Sequence, residues 1–224
     1  MIPKKKLERH QQKIRNACSL CEGEGCSECE PKRSRAAKYA MSNIPTTYWD
    51  LAWGDFTGDQ KFKELISEKL QNIENVYDKG ESFLFSGVHG TGKTYAACCI
   101  LKMAIVHRFS ANYIAMQDIV NRILSKSLDT YKVLEELIDI DFLVIDEFDP
   151  RWVFPSENVE QIFGEALEHI LRTRFQNGLP TFLATNTADV DSILTGKFAR
   201  SFKSLRSQYL TIIPVGGKDF RRNG

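Results

Sequence analysis

The chain has 224 residues, 42% hydrophobic and 26% charged, which suffices for one medium-sized domain with a small appendage. No apolar run is long enough to span a bilayer, and the basic start MIPKKKLERHQQK lacks the apolar stretch of a secretory signal, so we expect a soluble, cytoplasmic protein. The net charge of +1 conceals two basic ends, residues 1–45 and 196–224, around an acidic middle, which suggests separate surfaces for phosphate backbones or acidic partners.

The first third of the chain predicts helices around an irregular segment. Residues 1–16 are polar and compatible with a helix, and residues 32–43 predict a short helix or linker. The aromatic, proline-containing stretch IPTTYWDLAWGDF cannot form a long helix. Apolar residues at helical spacing then predict one continuous helix from Phe62 to Tyr77, ended by Gly80.

The rest of the chain alternates short apolar strands with helices. Strands alternating with amphipathic helices predict a parallel sheet that is covered by helices on both faces. We therefore expect an α/β fold with a five-stranded parallel sheet, its strands formed in order by ESFLFSG, ANYIAM, DFLVIDEF, PTFLATN and YLTIIPV.

The segment GVHGTGKT matches G-x-x-x-x-G-K-[ST] at every fixed position, after a predicted strand and before a predicted helix. In such a loop, backbone N–H groups and the helix N-terminus face phosphate groups. Lys93 would reach the β- and γ-phosphates of ATP, and Thr94 would be a ligand of Mg²⁺. The predicted nucleotide contacts are Gly87, Val88, His89, Gly90, Thr91, Gly92, Lys93, Thr94 and Tyr95.

Two further strand ends carry polar residues suited to ATP hydrolysis. The strand FLVIDE ends in Asp146, predicted to hold Mg²⁺ with Thr94, and Glu147, predicted to polarise the attacking water. The next strand ends in Asn186, at the sheet edge where ligands bind in parallel α/β folds, and it is our candidate for orienting that water.

Together these motifs resemble those of AAA+ ATPases with an ASCE-type P-loop core. More narrowly, the chain resembles the DnaC/DnaI-type replicative helicase loaders and the related IstB transposition ATPases, through NIPTTYW, YIAMQDIVNRIL, LEHILRTRFQNGLPTFLATN and the ending GGKDFR. The resemblance implies an AAA+ domain over residues 44–224 and a separate N-terminal region over residues 1–43. It also implies that residues 117–137 line a DNA channel.

The resemblance further implies an arginine finger, supplied by one subunit to the ATP site of the next. The family position falls on or next to Leu205, so Arg206 is the nearest candidate and Arg200 a more distant one. Arg221 in GKDFR matches the family's C-terminal arginine, which lies near the nucleotide. Self-association through the ATP sites follows as an expectation.

Four cysteines lie within twelve residues as two CxxC pairs, Cys18, Cys21, Cys26 and Cys29. Two such pairs are a metal signature, and tetrahedral Zn²⁺ suits four thiolates. An iron–sulfur cluster and a redox pair are the alternatives. Because the segment is too short to bury a core, metal would organise its fold.

By resemblance, the cysteine-containing region docks onto the helicase, and its basic flanks leave nucleic acid as an alternative partner. The expected function is an ATP-dependent loader that places a replicative DNA helicase onto single-stranded DNA. An IstB-like transposition ATPase and a replication initiator that uses ATP only as a switch are the alternatives. A nucleoside or nucleotide kinase would need a substrate-binding lid with clustered arginines, and residues 110–140 show no such cluster.

Overall fold

The structure is a computed structural model that describes residues 2–21, 24–124, 129–149, 157–193 and 196–217. Five parallel strands form one sheet in the order β2-β3-β4-β1-β5. The prediction of a five-stranded parallel sheet between helices is therefore confirmed. The strands are β1 (Ser82–Ser86), β2 (Ala111–Ala115), β3 (Phe142–Asp146), β4 (Thr181–Thr185) and β5 (Leu210–Pro214).

Nine α-helices occur in the described part of the chain, together with short 3-10 turns. None of these helices is long and apolar enough to cross a membrane. They are α1 (Lys4–Asn16), α2 (Cys29–Met41), α3 (Gln60–Gln71), α4 (Ile73–Asp78), α5 (Lys93–Val106), α6 (Met116–Leu124), α7 (Asp129–Asp139), α8 (Glu157–Gln176) and α9 (Gly196–Tyr209).

The sheet divides the apolar residues into two cores because successive strand residues point to opposite faces. On β3, Phe142 and Val144 pack into the core that contains α3 and α5, whereas Leu143 and Ile145 pack into the core that contains α8 and α9. The same alternation holds on β1 and β4. Continuous apolar strands are thus explained by burial on both faces.

The prediction of a single helix from Phe62 to Tyr77 is wrong in one respect, because the helix is interrupted at Asn72. The Asn72 amide donates a hydrogen bond to the carbonyl of Glu68 at 2.9 Å, and its backbone leaves helical geometry with φ −120° and ψ 41°. An asparagine side chain that bonds locally to the backbone competes with helix continuation. The apolar periodicity survives across the break, so both helices still bury one face.

The N-terminal helices pack onto the sheet domain. Tyr39 and Leu7 contact the core around α5, and His10 packs edge-on against the Trp49 ring at 4.9 Å between centroids. The backbone N–H of Tyr113 on edge strand β2 donates to the carbonyl of Ser42, just after α2, at 2.9 Å. The division into domains at residue 43 stays a prediction.

Arg174 on α8 is fully buried, although arginine is almost never found without exposure. Burial lowers the pKa of its guanidinium to about 9, against the opposing effects of Asp141 and Asp139. Its five N–H groups bind the end of α7 to the starts of β3 and β4. The acceptors are the Thr181 hydroxyl and the carbonyls of Leu137, Ile138, Ile140, Asp141 and Pro180.

We predict that Arg174→Met lowers the free energy of unfolding by about 3 kcal/mol or more, because it leaves several buried carbonyls without a donor. Chemical denaturation measures this loss. The control is Arg172→Met, two residues earlier, where an exposed ion pair with Glu168 is removed. That substitution should cost about 0.5 kcal/mol or less. Equal losses in both variants would contradict the role given to Arg174.

Candidate nucleotide site and cysteine cluster

The phosphate loop, residues 87–94, joins β1 to the N-terminus of α5. Gly92 precedes the helix with φ +94°, a conformation that favours glycine, and a Cβ there would lie 2.4 Å from Cε2 of Phe56. Gly87 leaves β1 with φ +151°, and a Cβ there would lie 2.3 Å from the Val215 carbonyl oxygen. The loop therefore needs glycine at both positions, and it presents the first N–H groups of α5 to any anion.

The Lys93 ammonium group lies at the centre of this loop. Its Nζ donates to the carbonyl oxygens of Gly87 at 2.9 Å and Val88 at 2.6 Å, and to Thr91 Oγ1 at 3.3 Å. The side chain is 4% exposed. The one lysine of the loop is thus held by the loop's own carbonyl oxygens, next to the start of α5 whose N–H groups would face a phosphate.

Thr94 and Asp146 meet across the gap between α5 and β3. The Thr94 hydroxyl donates to Asp146 Oδ2 at 2.9 Å, and the Asp146 carboxylate is buried. The Tyr113 hydroxyl donates to the same oxygen at 2.7 Å, and the backbone N–H of Glu147 donates to Oδ1 at 2.9 Å. A hydroxyl and a carboxylate side by side are the oxygen ligands that Mg²⁺ takes beside phosphate groups.

Glu147 leaves the sheet in an unusual conformation. Its φ of +54° lies in the left-handed region, which a residue with a side chain rarely adopts, and its side chain is exposed. The next residue, Phe148, returns to the core and donates its N–H to the Ala184 carbonyl at 2.8 Å. Such local strain is typical of functional sites. Here the left-handed turn directs the Glu147 side chain outward, while Asp146 stays buried.

A cleft of about 550 Å³ opens beside the phosphate loop, within the size range of ligand pockets. One side is formed by the loop and the start of α5. The other is a segment that sequence reasoning gave no functional role, residues 48–57, which we call the cleft wall. The described lining residues are Tyr48, Leu51, Asp55, Phe56, Thr57, Gly90, Gly92, Lys93, Thr94, Tyr95 and Asn186.

Helix α5 holds the cleft wall in place. The Tyr95 hydroxyl donates to the Ala52 carbonyl, and Lys102 donates to the Tyr48 carbonyl at 2.7 Å and to that of Leu51. Trp53 stacks on Phe56 with 4.4 Å between ring centroids. The aromatic density of the segment was visible in the sequence, but its contact with the loop depends on packing between distant residues.

The structure brings Lys93, Thr94, Asp146 and Asn186 to one edge of the sheet. Asn186 is exposed and lines the cleft directly after β4. Val88 and His89 are exposed on the loop.

The two predicted arginines of α9, Arg200 and Arg206, are not among the described residues that line the cleft. Arg206 near the end of α9 donates to Asp191 Oδ1 at 2.9 Å and is not among the described lining residues. Arg200 is exposed on the same helix. Arg221 lies outside the described residues.

These residues fit ATP and Mg²⁺. The cleft pairs a lysine-containing loop at a helix N-terminus with a wall that includes Tyr48, Leu51 and Phe56, which suits a molecule with phosphates at one end and a base at the other. Thr94 and Asp146 would hold Mg²⁺, which would neutralise charge on the phosphates when bound.

The four cysteines of the N-terminal region converge. Their sulfur atoms all lie within 4.8 Å of one another. Cys18 and Cys26 are 3.5 Å apart, Cys21 and Cys29 are 3.7 Å apart, and Cys26 and Cys29 are 3.9 Å apart. Tetrahedral zinc with Zn–S bonds of about 2.3 Å requires sulfur separations of about 3.8 Å. The donor set therefore fits zinc in both chemistry and spacing.

Backbone and charged groups support the cysteine cluster. The N–H groups of Gly25 and Cys26 donate to the sulfurs of Cys21 and Cys29, each at 3.3 Å. The Glu30 carboxylate accepts from Arg15 at 3.1 Å and from Arg33 at 2.5 Å, which ties α1 to α2 beside the cluster.

The thiols of the cluster affect one another's protonation. The Cys26 backbone N–H lowers the pKa of the Cys29 thiol, but burial and the thiols of Cys21 and Cys26 raise it more, to about 11. Metal binding must therefore displace a proton.

The sequence profile of the IstB-like ATP binding protein family matches residues 27–178, more than half of the chain. The chain belongs to this family. The match includes the phosphate loop, β3 and the cleft wall, so the chain contains an ATP-binding domain of the AAA+ P-loop type.

Known relatives agree with this assignment. The chain is 28% identical over 130 residues to the replicative helicase loader DnaC of Escherichia coli K12, covering 54% of this chain and 49% of the relative. It therefore spans about half the length of the curated relatives it matches.

Two solved structures share the fold. A crystal structure of DnaI has a TM-score of 0.61 at 20% identity, covering 79% of this chain and 93% of that one. A structure of the replication initiator DnaA bound to AMPPCP and single-stranded DNA has a TM-score of 0.60 at 18% identity, covering 76% and 50%.

We predict that the purified protein contains about one zinc ion per chain, measured by atomic absorption. Cys21→Ser should lose nearly all of it, whereas Cys99→Ala, which changes a buried cysteine of α5, should retain it. Zinc retention should fall as pH falls, because the thiols must be deprotonated to bind. Iron with visible absorption, or a metal-free wild-type protein, would contradict the zinc assignment.

Proposed function

We propose that this protein is an ATP-dependent loader of a replicative DNA helicase onto single-stranded DNA. The similarity to DnaC, which is itself named a replicative helicase loader, is the observation that favours a loader over other IstB-like ATPases. The ATP cleft supplies the switch, and the N-terminal region with its cysteine cluster supplies a surface for the helicase.

The chain's own residues have distinct roles in this proposal. The phosphate loop and Lys93 bind the phosphates of ATP, and the cleft wall encloses the base. Thr94 and Asp146 hold Mg²⁺ at the phosphates. Glu147, exposed on its strained turn, accepts a proton from the attacking water, and Asn186 orients that water.

Completion of the ATP site requires a second subunit in this proposal. Arg206 is the candidate finger, and in the single chain it forms an ion pair with Asp191 on the protein surface, where Asp191 is mostly exposed. The Arg206 side chain is only 20% exposed, so it would have to leave a partly buried ion pair before it could reach a neighbouring subunit's phosphate. Single-stranded DNA would then be held by a basic surface of the assembled subunits.

We predict that Glu147→Gln binds ATP as the wild type does but lowers turnover by about 100-fold or more, since general-base catalysis contributes on that scale. Lys93→Ala should instead weaken ATP binding by about tenfold or more, through lost hydrogen bonds to charged phosphates. Equilibrium binding and steady-state phosphate release separate the two effects. Wild-type turnover by Glu147→Gln would refute the hydrolytic mechanism.

The cysteine cluster exposes an apolar side chain suited to partner contact. Leu20, between Cys18 and Cys21, is 71% exposed. Burial of an exposed apolar side chain by a partner is favourable, because it removes apolar surface from water. Met41 at the end of α2 is 83% exposed and lies away from the cluster, so it offers a matched control.

We predict that Leu20→Ser loses about tenfold or more of the affinity for the replicative helicase of the same cell while keeping zinc content and ATP turnover. Met41→Ser should bind the helicase as the wild type does. Size-exclusion chromatography and a loading assay on closed circular single-stranded DNA give the readouts. If wild-type protein neither binds nor loads that helicase, the loader proposal fails.

The second candidate is an IstB-like transposition ATPase, which the family match favours equally. It would bind double-stranded target DNA in preference to single strands. An ATP-dependent preference for duplex DNA, together with binding of a transposase instead of a helicase, would favour this second function. The roles proposed for the ATPase residues would not change.

A further inference from the structure

Tyr113 lies on edge strand β2, yet its side chain reaches the centre of the proposed magnesium site. Its hydroxyl donates to Asp146 Oδ2 at 2.7 Å, shorter than the 2.9 Å contact that Thr94 makes to the same oxygen. No motif of the phosphate loop or the acidic strand includes this residue.

Sheet register explains why a tyrosine reaches this position. Tyr113 pairs with Val144, two residues before Asp146 on the neighbouring strand, so all three side chains point to the same face. A diagonal neighbour at this separation is within reach of an aromatic side chain. Phenylalanine would fill the same space, so only the hydroxyl accounts for the contact with Asp146.

The position of the strand is itself fixed at this residue. The Tyr113 backbone N–H donates to the Ser42 carbonyl at 2.9 Å, and the Asn43 amide donates to Asn112 Oδ1 at 3.1 Å. A tyrosine hydroxyl carries its proton at neutral pH, so it can donate to the Asp146 carboxylate.

We propose that Tyr113 is a positioning residue for the magnesium site: its hydroxyl holds the Asp146 carboxylate in the orientation that receives Mg²⁺ together with ATP. This inference rests on the proposed function. With Thr94 and the Glu147 N–H also donating, Asp146 has three donors that fix both oxygens, and partners of this kind tune the affinity of metal ligands.

The test measures the linkage between Mg²⁺ and nucleotide, using a fluorescent ATP analogue with and without Mg²⁺. The ratio of the dissociation constant in EDTA to that in saturating Mg²⁺ reports the coupling. Tyr113→Phe should lower this ratio by about tenfold or more, as for partners of metal ligands, while leaving the EDTA affinity close to that of the wild type.

The matched control is Tyr77→Phe. Tyr77 donates its hydroxyl to Asp141 Oδ1 at 3.1 Å, at the opposite end of β3, so the same atom is removed from a tyrosine–aspartate contact away from the cleft. Its ratio should equal that of the wild type. In an Asp146→Asn background, Tyr113→Phe should add little, because the two residues act as a unit.

The outcomes separate the inference from the function on which it rests. An unchanged ratio in Tyr113→Phe, or an equal fall in Tyr77→Phe, would overturn the positioning role and leave the ATPase proposal standing. A wild-type ratio near one would overturn the magnesium site itself, and the inference with it.

Discussion

The parallel alignment of β3, β4 and β1 is the constraint on which the candidate nucleotide site depends. These three strands are consecutive in the sheet, so their carboxyl ends lie side by side. Asp146 ends β3, Asn186 follows β4 and Gly87 follows β1, which brings residues from distant parts of the chain to one edge. A parallel sheet needs helical crossovers between its strands, and one of these, α5, begins at the phosphate loop. The strand order that forms the sheet therefore also brings the site residues together.

The phosphate loop and the acidic strand could be predicted because their chemistry lies within short runs of sequence. The phosphate loop, Gly87 to Thr94, can be recognised from the spacing of its residues and the strand before it. The cysteine cluster can be recognised from the spacing of its four cysteines. The role of the cleft wall could not be predicted, since it depends on contacts between residues far apart, such as Lys102 Nζ and the Tyr48 carbonyl. The break at Asn72 escaped prediction for a different reason: apolar periodicity continues through it, and one side-chain hydrogen bond decides the backbone.

The role of the buried Arg174 could not be predicted from the sequence either. Six of its hydrogen bonds join α7, β3 and β4, and each acceptor is a backbone carbonyl or hydroxyl that no sequence pattern distinguishes. In the sequence it is one of several basic residues on an amphipathic helix. Only the fold shows that its charge is buried, and burial is why its removal should cost far more than removal of Arg172.

The N-terminal helices contact both the cleft wall and strand β2, whose Tyr113 binds Asp146. On α1, His10 packs against Trp49 and lies 3.4 Å from the carboxylate of Asp50, at the start of the cleft wall. After α2, the Ser42 carbonyl accepts the backbone N–H of Tyr113, whose hydroxyl reaches Asp146. A partner that displaced these helices would have to break contacts to both elements. Because linkage is reciprocal, ATP that favours one arrangement of the wall and of Asp146 would favour one arrangement of the N-terminal helices by the same free energy.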